Sequence, residues 1–335
     1  MSRPTTLDVH SHILEPETAE ALDEALDIRV TLEPKTETSG ALTVGDAVYD
    51  PFPRGGWDIG QRLADMDRYG FDRQLLAVCP QTVMYEEAPE TALTASRIQN
   101  DALARRCRAM PDRFGALATV PLQAPDQSAE ELRRAMTEGG LLGAMLCTNI
   151  GGRNLDWPEL DVFWAEAERL GAILLLHPPP KVAGADRLKD FYLRNFVGNP
   201  LDTTIAAACL VFGGVLERFP GLKFVLSHGG GFVPYQQDRW IHGWAERPEA
   251  KVRLKGEPGP SLDRLRFDTI LHGAPALDYL IGRAGPERVM LGTDYPFDMG
   301  EYDILGVIDR LGLSEADRET VLSGAAERLM PKGGS

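Results

Sequence analysis

Short apolar segments alternate along this 335-residue chain with longer segments of helical periodicity. The apolar segments have the length and nearly continuous hydrophobicity of parallel strands that are buried on both faces. Eight such strands are predicted, at residues 7–13, 73–78, 114–120, 141–147, 172–177, 223–228, 265–270 and 288–294. Helices are predicted between most of them, at residues 91–110, 128–137, 156–170, 203–219 and 274–283.

This alternation predicts an α/β protein with a parallel sheet, and eight strands suit a closed (β/α)8 barrel, the TIM barrel. We expect residues 1–335 to form a single barrel domain, because one such barrel with its loops reaches this length. An open doubly wound sheet is the alternative, since the seventh segment is weakly apolar and contains Arg266 and Asp268. Residues 15–57 are polar and contain several Gly and Pro, which predicts an inserted loop region that covers the site.

The composition argues against several classes of function. A formal net charge of -15 and the lack of a basic run argue against nucleic-acid binding. No apolar run approaches the roughly 20 residues of a membrane span, and no secretory signal precedes the first strand, so we expect a cytoplasmic protein. The four cysteines show no CxxC spacing, which predicts buried thiols. A small-molecule substrate is therefore expected.

Two histidines, His10 and His12, lie one residue apart in the first predicted strand. Side chains at i and i+2 of a strand share a face, so both imidazoles can bind one ion. Taken alone, the pair is explained equally well as ordinary core or surface residues. Three further polar residues favour a metal site, because they end other apolar segments: His177, His228 and Asp294. Active sites of parallel α/β sheets lie at these carboxyl ends.

Three imidazoles and one carboxylate suit a divalent ion of borderline softness; zinc is expected first, with manganese, cobalt and iron as alternatives. A shell of this kind leaves a position for water or substrate, so we expect a catalytic metal. His228 is either a ligand or an acid/base, and we assign it proton transfer. Asp294 is expected to be catalytic as well as a ligand, because a buried carboxylate needs a metal or a histidine as its partner.

These residues stand in a series of motifs that resembles the amidohydrolase superfamily, and within it the branch of 2-amino-3-carboxymuconate 6-semialdehyde decarboxylase. The motifs are His10-Ser-His12, His177-Pro178, Ser227-His228-Gly-Gly-Gly231 and Leu291-Gly-Thr-Asp294-Tyr-Pro-Phe297. The resemblance runs nearly end to end, and further similar segments are Pro111-Asp-Arg-Phe114, Pro121-Leu-Gln123 and residues 212–220. It implies a (β/α)8 barrel with one zinc bound by His10, His12, His177 and Asp294, and with His228 as the acid/base.

The resemblance also implies how substrate is bound. Many amidohydrolases hold two metals through a carboxylated lysine on the fourth strand, but residues 143–147 contain no lysine, so a mononuclear site is implied. The decarboxylase holds its substrate with two arginines, one of them from the partner subunit of a dimer, and Arg239 is similar to that second arginine. Arg54 lies near the position of the first arginine but is displaced. Phe191 stands where an indole is expected.

Together these features predict a metal-dependent, non-oxidative decarboxylase of a small carboxylated aromatic or muconate-semialdehyde-like acid, working as a homodimer. The alternative is a hydrolase or hydratase of a related acid that uses metal-bound hydroxide, because fold and metal ligands do not fix the reaction. A third hypothesis is a binding protein that catalyses no reaction. Elemental analysis that shows a metal-free chain with no affinity for zinc would support it.

Overall fold

The computed structural model describes residues 5–331, and within them eight parallel strands form a closed barrel. Neighbouring strands pair in chain order within two sheets, and two further contacts join these sheets into a ring. At one junction Ala118 pairs with Ala144, and at the other Ser11 pairs with Tyr295. The predicted (β/α)8 barrel is therefore confirmed, and the open doubly wound sheet is wrong.

The strands of the described chain, in order, are β1 (Leu7–Ile13), β2 (Val30–Pro34), β3 (Ser39–Val44), β4 (Ala47–Pro53), β5 (Arg73–Val78), β6 (Phe114–Ala116), β7 (Gly143–Cys147), β8 (Ile173–His177), β9 (Lys223–Leu226), β10 (Arg266–Asp268) and β11 (Val289–Met290). All but β2, β3 and β4 belong to the barrel. The α-helices are α1 (Pro16–Ala25), α2 (Ile59–Tyr69), α3 (Pro89–Ala109), α4 (Pro125–Thr137), α5 (Asp161–Leu170), α6 (Asn199–Phe212), α7 (Val215–Arg218), α8 (Val233–Glu246), α9 (Gly259–Leu262), α10 (Ala274–Ala284), α11 (Ile304–Asp309), α12 (Glu315–Glu319) and α13 (Ala325–Glu327). Within residues 5–331 no helix combines the length and hydropathy needed to cross a bilayer.

The main hydrophobic core joins the barrel strands to the helices around them. Trp164 of α5 packs edge-on against Phe224 of β9, with ring centroids 5.6 Å apart. Both side chains are fully buried, as is Phe267 of β10. Burial of a large apolar side chain contributes about 1.5–3 kcal/mol, so contacts of this kind fix the strands whose ends carry the site.

The sequence predicts one helix over residues 203–219, and this expectation is wrong. Helix α6 ends at Phe212, and α7 begins at Val215 after two glycines. Gly214 has a φ of 70°, which is the left-handed conformation that favours glycine. A Cβ on Gly213 would lie 2.4 Å from Cβ of Asp156. The chain must therefore turn at this point before it reaches β9.

Residues 15–57 were expected to form a loop, but they contain α1 and a three-stranded antiparallel sheet, β2-β3-β4. Val30, Leu42 and Phe52 from the three strands are buried in a second, smaller hydrophobic cluster. Each strand buries only part of its side chains, and glycines and prolines interrupt the pattern, so the apolar signal is weak. Phe52 also stacks on Trp57, with centroids 5.6 Å apart, which attaches the sheet to the chain before α2.

The four cysteines are free, as the spacing predicts. Cys79 and Cys147 are buried, whereas Cys107 and Cys209 are half-buried. Burial raises the pKa of the Cys79 thiol to about 12, so this residue stays protonated near neutral pH.

Candidate metal centre

Four polar side chains converge at the carboxyl ends of the barrel strands. His10 and His12 lie on β1, His177 ends β8, and Asp294 follows β11. One ligand atom from each of them lies within 4.8 Å of the others, and all four residues are buried. The structure thus brings together the metal ligands that the sequence predicts.

The distances within this cluster suit a metal ion. Oδ1 of Asp294 lies 3.4 Å from Nε2 of His10, 3.1 Å from Nε2 of His12 and 3.9 Å from Nε2 of His177. A tetrahedral ion with bonds of about 2.1 Å separates its ligands by about 3.4 Å. Oδ1 of Asp294 and Nε2 of His177 are buried and have no hydrogen-bond partner among residues 5–331. A divalent cation would satisfy both atoms at once, so the donor set fits a metal.

The other nitrogen of each imidazole is engaged in a hydrogen bond, which orients the ring. Nδ1 of His10 donates to Oδ2 of Asp268 at 2.7 Å. Nδ1 of His12 donates to the carbonyl of Val78 at 2.9 Å, and Nδ1 of His177 donates to the carbonyl of Pro178 at 2.8 Å. Because each Nδ1 is engaged in a hydrogen bond, Nε2 is the atom of each ring that would bind a metal ion.

The electrostatics of the cluster favour a cation. Burial lowers the pKa of His177 well below its ordinary value and also lowers that of His12, so both are neutral and able to bind a metal. Burial opposes the charge of Asp294, but the positive charge of His10 and the close imidazole nitrogens of His12 and His228 hold its pKa well below the usual range. Burial would likewise lower the pKa of His10, but Asp294 and Asp268 raise it to about 10.

His228 lies beside the cluster and not within it. Its ring centroid is 5.3 Å from that of His177, and its Nε2 lies 3.4 Å from Oδ2 of Asp294. The backbone of His228 has a φ of 55°, which is rare for residues other than glycine. Asp268 holds this conformation, since it accepts hydrogen bonds from the backbone N–H groups of His228 at 2.9 Å and Gly229 at 2.7 Å. Nδ1 of His228 is buried without a hydrogen-bond partner among the described residues.

Asp268 is an important residue that the sequence analysis did not identify. It interrupts an apolar segment at the end of β10, and it is fully buried. A buried carboxylate in a strand is costly unless it is paired. The signal in the sequence is therefore an aspartate within an apolar segment that is predicted to be a buried strand. In the structure its partners are the His10 ring and the backbone around His228.

Two further buried groups hold β1 in place, one on the strand itself and one on α2. Asp8 accepts hydrogen bonds from Oγ1 of Thr293 at 2.6 Å and Nε2 of Gln74 at 2.9 Å, and burial raises its pKa to about 6. Arg62 of α2 is fully buried and donates to Oε1 of Gln74 at 2.9 Å and to the carbonyl of His12. These contacts fix the backbone that carries His12.

A cavity of about 400 Å³ opens onto the metal ligands His177 and Asp294. This volume is at the lower end of the range for ligand sites in proteins and suits one small ring. Strand β4 and the segment after β8 supply much of its wall. The lining residues include Tyr49, Asp50, Phe52, Gln81, Tyr192, Arg194, Asn195, Asn199, Phe297 and Asp298. A second cavity of about 320 Å³ shares Asn195 and Asn199 with the first and is lined by His228 and His272.

The structure does not bring the three predicted substrate-binding residues to the metal ligands within the described part of one chain. Nε of Arg54 donates to Oδ2 of Asp58 at 2.8 Å, and the residue is not among those that line the cavity. Phe191 is 85% exposed. Arg239 lies on α8 and lines a separate cavity with Trp240 and Trp244. Arg194, which the sequence analysis did not select, does line the main cavity.

Comparison with known proteins gives relatives for the whole barrel. The chain is 33% identical over 328 residues to 2-amino-3-carboxymuconate-6-semialdehyde decarboxylase of Dictyostelium discoideum, covering 97% of this chain and 91% of that protein. The crystal structure of 5-carboxyvanillate decarboxylase from Sphingomonas paucimobilis is 25% identical, with a TM-score of 0.83, and the match covers 98% of this chain and 99% of that one. A dihydroxybenzoic acid decarboxylase from Polaromonas sp., solved with manganese and the inhibitor 2-nitroresorcinol, has a TM-score of 0.79 at 22% identity and covers 98% and 97%.

The family comparison agrees with these matches. Residues 7–332 match the model of the family described as amidohydrolase, Amidohydro_2. The matched range begins at β1, which carries the first two metal ligands, and it extends beyond Asp294. The chain therefore belongs to the amidohydrolase family, in the branch that contains the 2-amino-3-carboxymuconate 6-semialdehyde decarboxylases.

Proposed function

We propose that this chain is a metal-dependent, non-oxidative decarboxylase of a small carboxylated aromatic or muconate-semialdehyde-like acid. The observation that carries the proposal is the convergence of three imidazole Nε2 atoms and Oδ1 of Asp294 beside a cavity of about 400 Å³. The decarboxylases among the relatives support this reaction class. A divalent ion held by His10, His12, His177 and Asp294 would supply Lewis-acid chemistry to a substrate oxygen.

In this reaction the bond between the carboxylate carbon and the neighbouring carbon breaks, and carbon dioxide leaves. The electron pair of that bond stays on the remaining carbon, which takes up one proton, so the atoms balance without an oxidant. His228 is suited to deliver this proton, because its buried Nδ1 has no hydrogen-bond partner among residues 5–331. Asp294 has its second oxygen, Oδ2, 3.4 Å from Nε2 of His228, where it can orient the ring.

Asp268 serves as a positioning residue in this proposal. Its carboxylate holds the ring of His10 and the backbone of His228 at the same time. The metal ligand and the proton donor are thereby fixed relative to each other, which keeps both in a productive geometry.

We propose zinc as the metal, because three imidazoles and one carboxylate suit its preference for nitrogen and oxygen donors. Manganese, which the Polaromonas relative holds, is the competing ion. Metal analysis of the purified protein, followed by stripping and reloading with each ion, distinguishes the two. One zinc per chain together with the highest turnover after zinc reloading is the expected result.

We also propose a homodimer in which Arg239 reaches the substrate of the partner subunit. The region around α8 exposes Phe232, Tyr235 and Tyr279, and Tyr235 is 76% exposed. Apolar side chains clustered in this way are typical of protein interfaces. Within the chain, we propose that the inserted β2-β3-β4 sheet covers the substrate, because Tyr49 and Phe52 line the cavity. Arg54 and Phe191 remain proposed substrate contacts.

The experiment that tests the function is carbon dioxide release from zinc-loaded protein offered muconate semialdehydes and hydroxybenzoates that carry a carboxylate. Metal-stripped protein is the control. Metal-dependent release is the expected result. A protein that holds one metal per chain but releases no carbon dioxide would contradict the proposal and favour the hydrolase or hydratase hypothesis.

A further inference from the structure

Two amide side chains that line the main cavity each have an oxygen atom without a hydrogen-bond partner in the described chain. Gln81 and Asn199 both line the cavity, and Oε1 of Gln81 and Oδ1 of Asn199 are buried without a hydrogen bond among residues 5–331. Buried polar atoms in proteins are nearly always hydrogen-bonded, and each exception calls for an explanation. Because both residues line one cavity beside the metal ligands, a ligand bound in that cavity could supply the missing partner of both.

Arg194 provides the cavity with a positive charge, and no other Lys or Arg is among its described lining residues. Its Nε donates to the carbonyl of Pro180 at 2.7 Å, and its Nη2 donates to the carbonyl of Pro179 at 3.2 Å. These prolines directly follow His177, so the guanidinium is attached to the loop that carries a metal ligand. Nη1 makes no hydrogen bond within residues 5–331 and is available to a ligand.

The carboxylates of the same cavity leave this charge largely uncompensated. Asp50 is paired with Nζ of Lys35 at 2.6 Å. Asp294 points its oxygens at the histidines of the metal centre. Asp298 and Arg194 are both exposed, and they form no ion pair within 4.0 Å in the described part of the chain. An anionic group of the substrate is therefore the best partner for Arg194.

The backbone that carries Arg194 is unusual. Phe191 and Tyr192 have φ values of 57° and 59°, in the left-handed region that side chains other than glycine rarely adopt. A π-helical turn, Arg194–Gly198, follows at once. Strained residues and π-helical turns concentrate at functional sites. This second observation supports a ligand-binding role for the segment.

We propose that Arg194, Gln81 and Asn199 are the residues of this cavity that recognise the substrate. The relatives are named for 2-amino-3-carboxymuconate 6-semialdehyde, and in a substrate of this kind the second acid group would contact Arg194 and the amino group, or a hydroxyl in its place, would contact the two amides. This inference rests on the proposed function. A hydroxyl or amino group releases electrons into the ring and eases protonation of the carbon that loses carbon dioxide. The same group can donate a hydrogen bond to an amide oxygen.

Arginine binds carboxylates through two parallel hydrogen bonds, which lysine cannot reproduce. The test is therefore isothermal titration of zinc-loaded protein with benzoate and with isophthalate, which differ only by the second carboxylate. We expect isophthalate to bind about tenfold more tightly or better, which corresponds to one additional charge-assisted contact. Arg194→Met removes this preference and Arg194→Lys retains part of it. Arg187→Met, at an exposed arginine of the same segment outside the cavity, retains all of it.

The amides are tested with 5-hydroxyisophthalate against isophthalate. Gln81→Leu and Asn199→Leu are expected to weaken binding of the hydroxylated acid severalfold while leaving isophthalate unchanged. Equal losses for both acids would show a structural role and overturn the assignment of the amides. A wild-type protein that binds neither acid, that binds benzoate as well as isophthalate, or whose preference survives Arg194→Met overturns the assignment of Arg194.

These measurements separate the inference from the proposed function, because binding requires no turnover. If the acids bind as expected but none of them releases carbon dioxide, only the decarboxylase proposal is contradicted. Carbon dioxide release by a protein with no preference for the second carboxylate would contradict the recognition proposal alone.

Discussion

Asp268 holds the ring of His10 through a buried hydrogen bond of 2.7 Å, and the same oxygen accepts the backbone N–H of His228. We expect Asp268→Asn to weaken metal affinity about 10- to 100-fold, because both carboxylate oxygens accept hydrogen bonds and the neutral amide keeps only one acceptor. The turnover number of metal-saturated enzyme should fall as well, because the His228 backbone loses its carboxylate partner. Metal titration and kinetics at saturating metal measure the two effects.

The control is Asp263→Asn, at an exposed aspartate whose nearest cation is Arg288 at 3.5 Å. It should leave both metal affinity and turnover unchanged. Normal metal affinity in the Asp268→Asn protein would show that the ring of His10 needs no carboxylate to orient it.

Removal of the His228 imidazole should separate proton delivery from metal binding. We expect His228→Ala to lower the turnover number about 10²- to 10⁴-fold, the usual contribution of a general acid or base. Metal content should stay at one ion per chain, whereas His12→Ala should lose the metal. Metal analysis and carbon dioxide release on the same samples check this, with His242→Ala, at an exposed position of α8, as the control. Loss of metal from His228→Ala would identify His228 as a ligand.

Metal removal should destabilise the fold. An ion that binds only the folded chain stabilises it by about 2.7 kcal/mol at a free concentration one hundred times its dissociation constant. The four ligands are buried, and without metal they retain polar atoms that lack partners among the described residues. Thermal unfolding of stripped and reloaded protein measures the difference. Identical unfolding temperatures at saturating metal would mean that the ion does not bind the folded chain in preference to the unfolded one, which would contradict a metal site in this cluster.

Mixing of two inactive variants tests the exchange of Arg239 between subunits. In the proposed dimer each site takes His228 from one subunit and Arg239 from the other. A dimer of one His228→Ala chain and one Arg239→Ala chain would therefore contain one site with both residues. Random reassociation of equal amounts should recover about a quarter of the wild-type activity. Carbon dioxide release before and after subunit exchange is the measurement, and the unmixed variants are the controls. No recovery from dimers shown to have exchanged would place Arg239 outside the partner's site.

The sequence predicts those parts of the molecule that depend on local pattern. Buried barrel strands are continuous apolar segments, so β1 and β5 have the predicted bounds, and the ligands His177 and Asp294 follow from their positions after such segments. The β2-β3-β4 sheet was missed because each of its strands buries only part of its side chains. The break between α6 and α7 was missed because the close approach of Asp156 to Gly213 depends on tertiary packing.

The residues that line the cavity are harder to predict for a related reason. Arg194 and Gln81 lie outside the regular strands and α-helices, and only the fold brings their two segments to the wall of the same cavity. Charge alone does not separate Arg194 from Arg54, because both are arginines in irregular segments. Their partners separate them: Arg54 is paired with Asp58, whereas Arg194 has a free Nη1 at the cavity within the described chain.

Closure of the barrel joins strands from opposite ends of the chain. Ser11 pairs with Tyr295, and Thr293 donates a hydrogen bond to Asp8 across 285 positions of sequence. The complete ligand set therefore does not exist in a growing chain until synthesis has passed Asp294. A ribosome-bound fragment would offer His10 and His12 without their carboxylate partner. We therefore expect stable metal binding only after nearly the whole chain has been synthesised. A bound ion then indicates that the first and last barrel strands are paired.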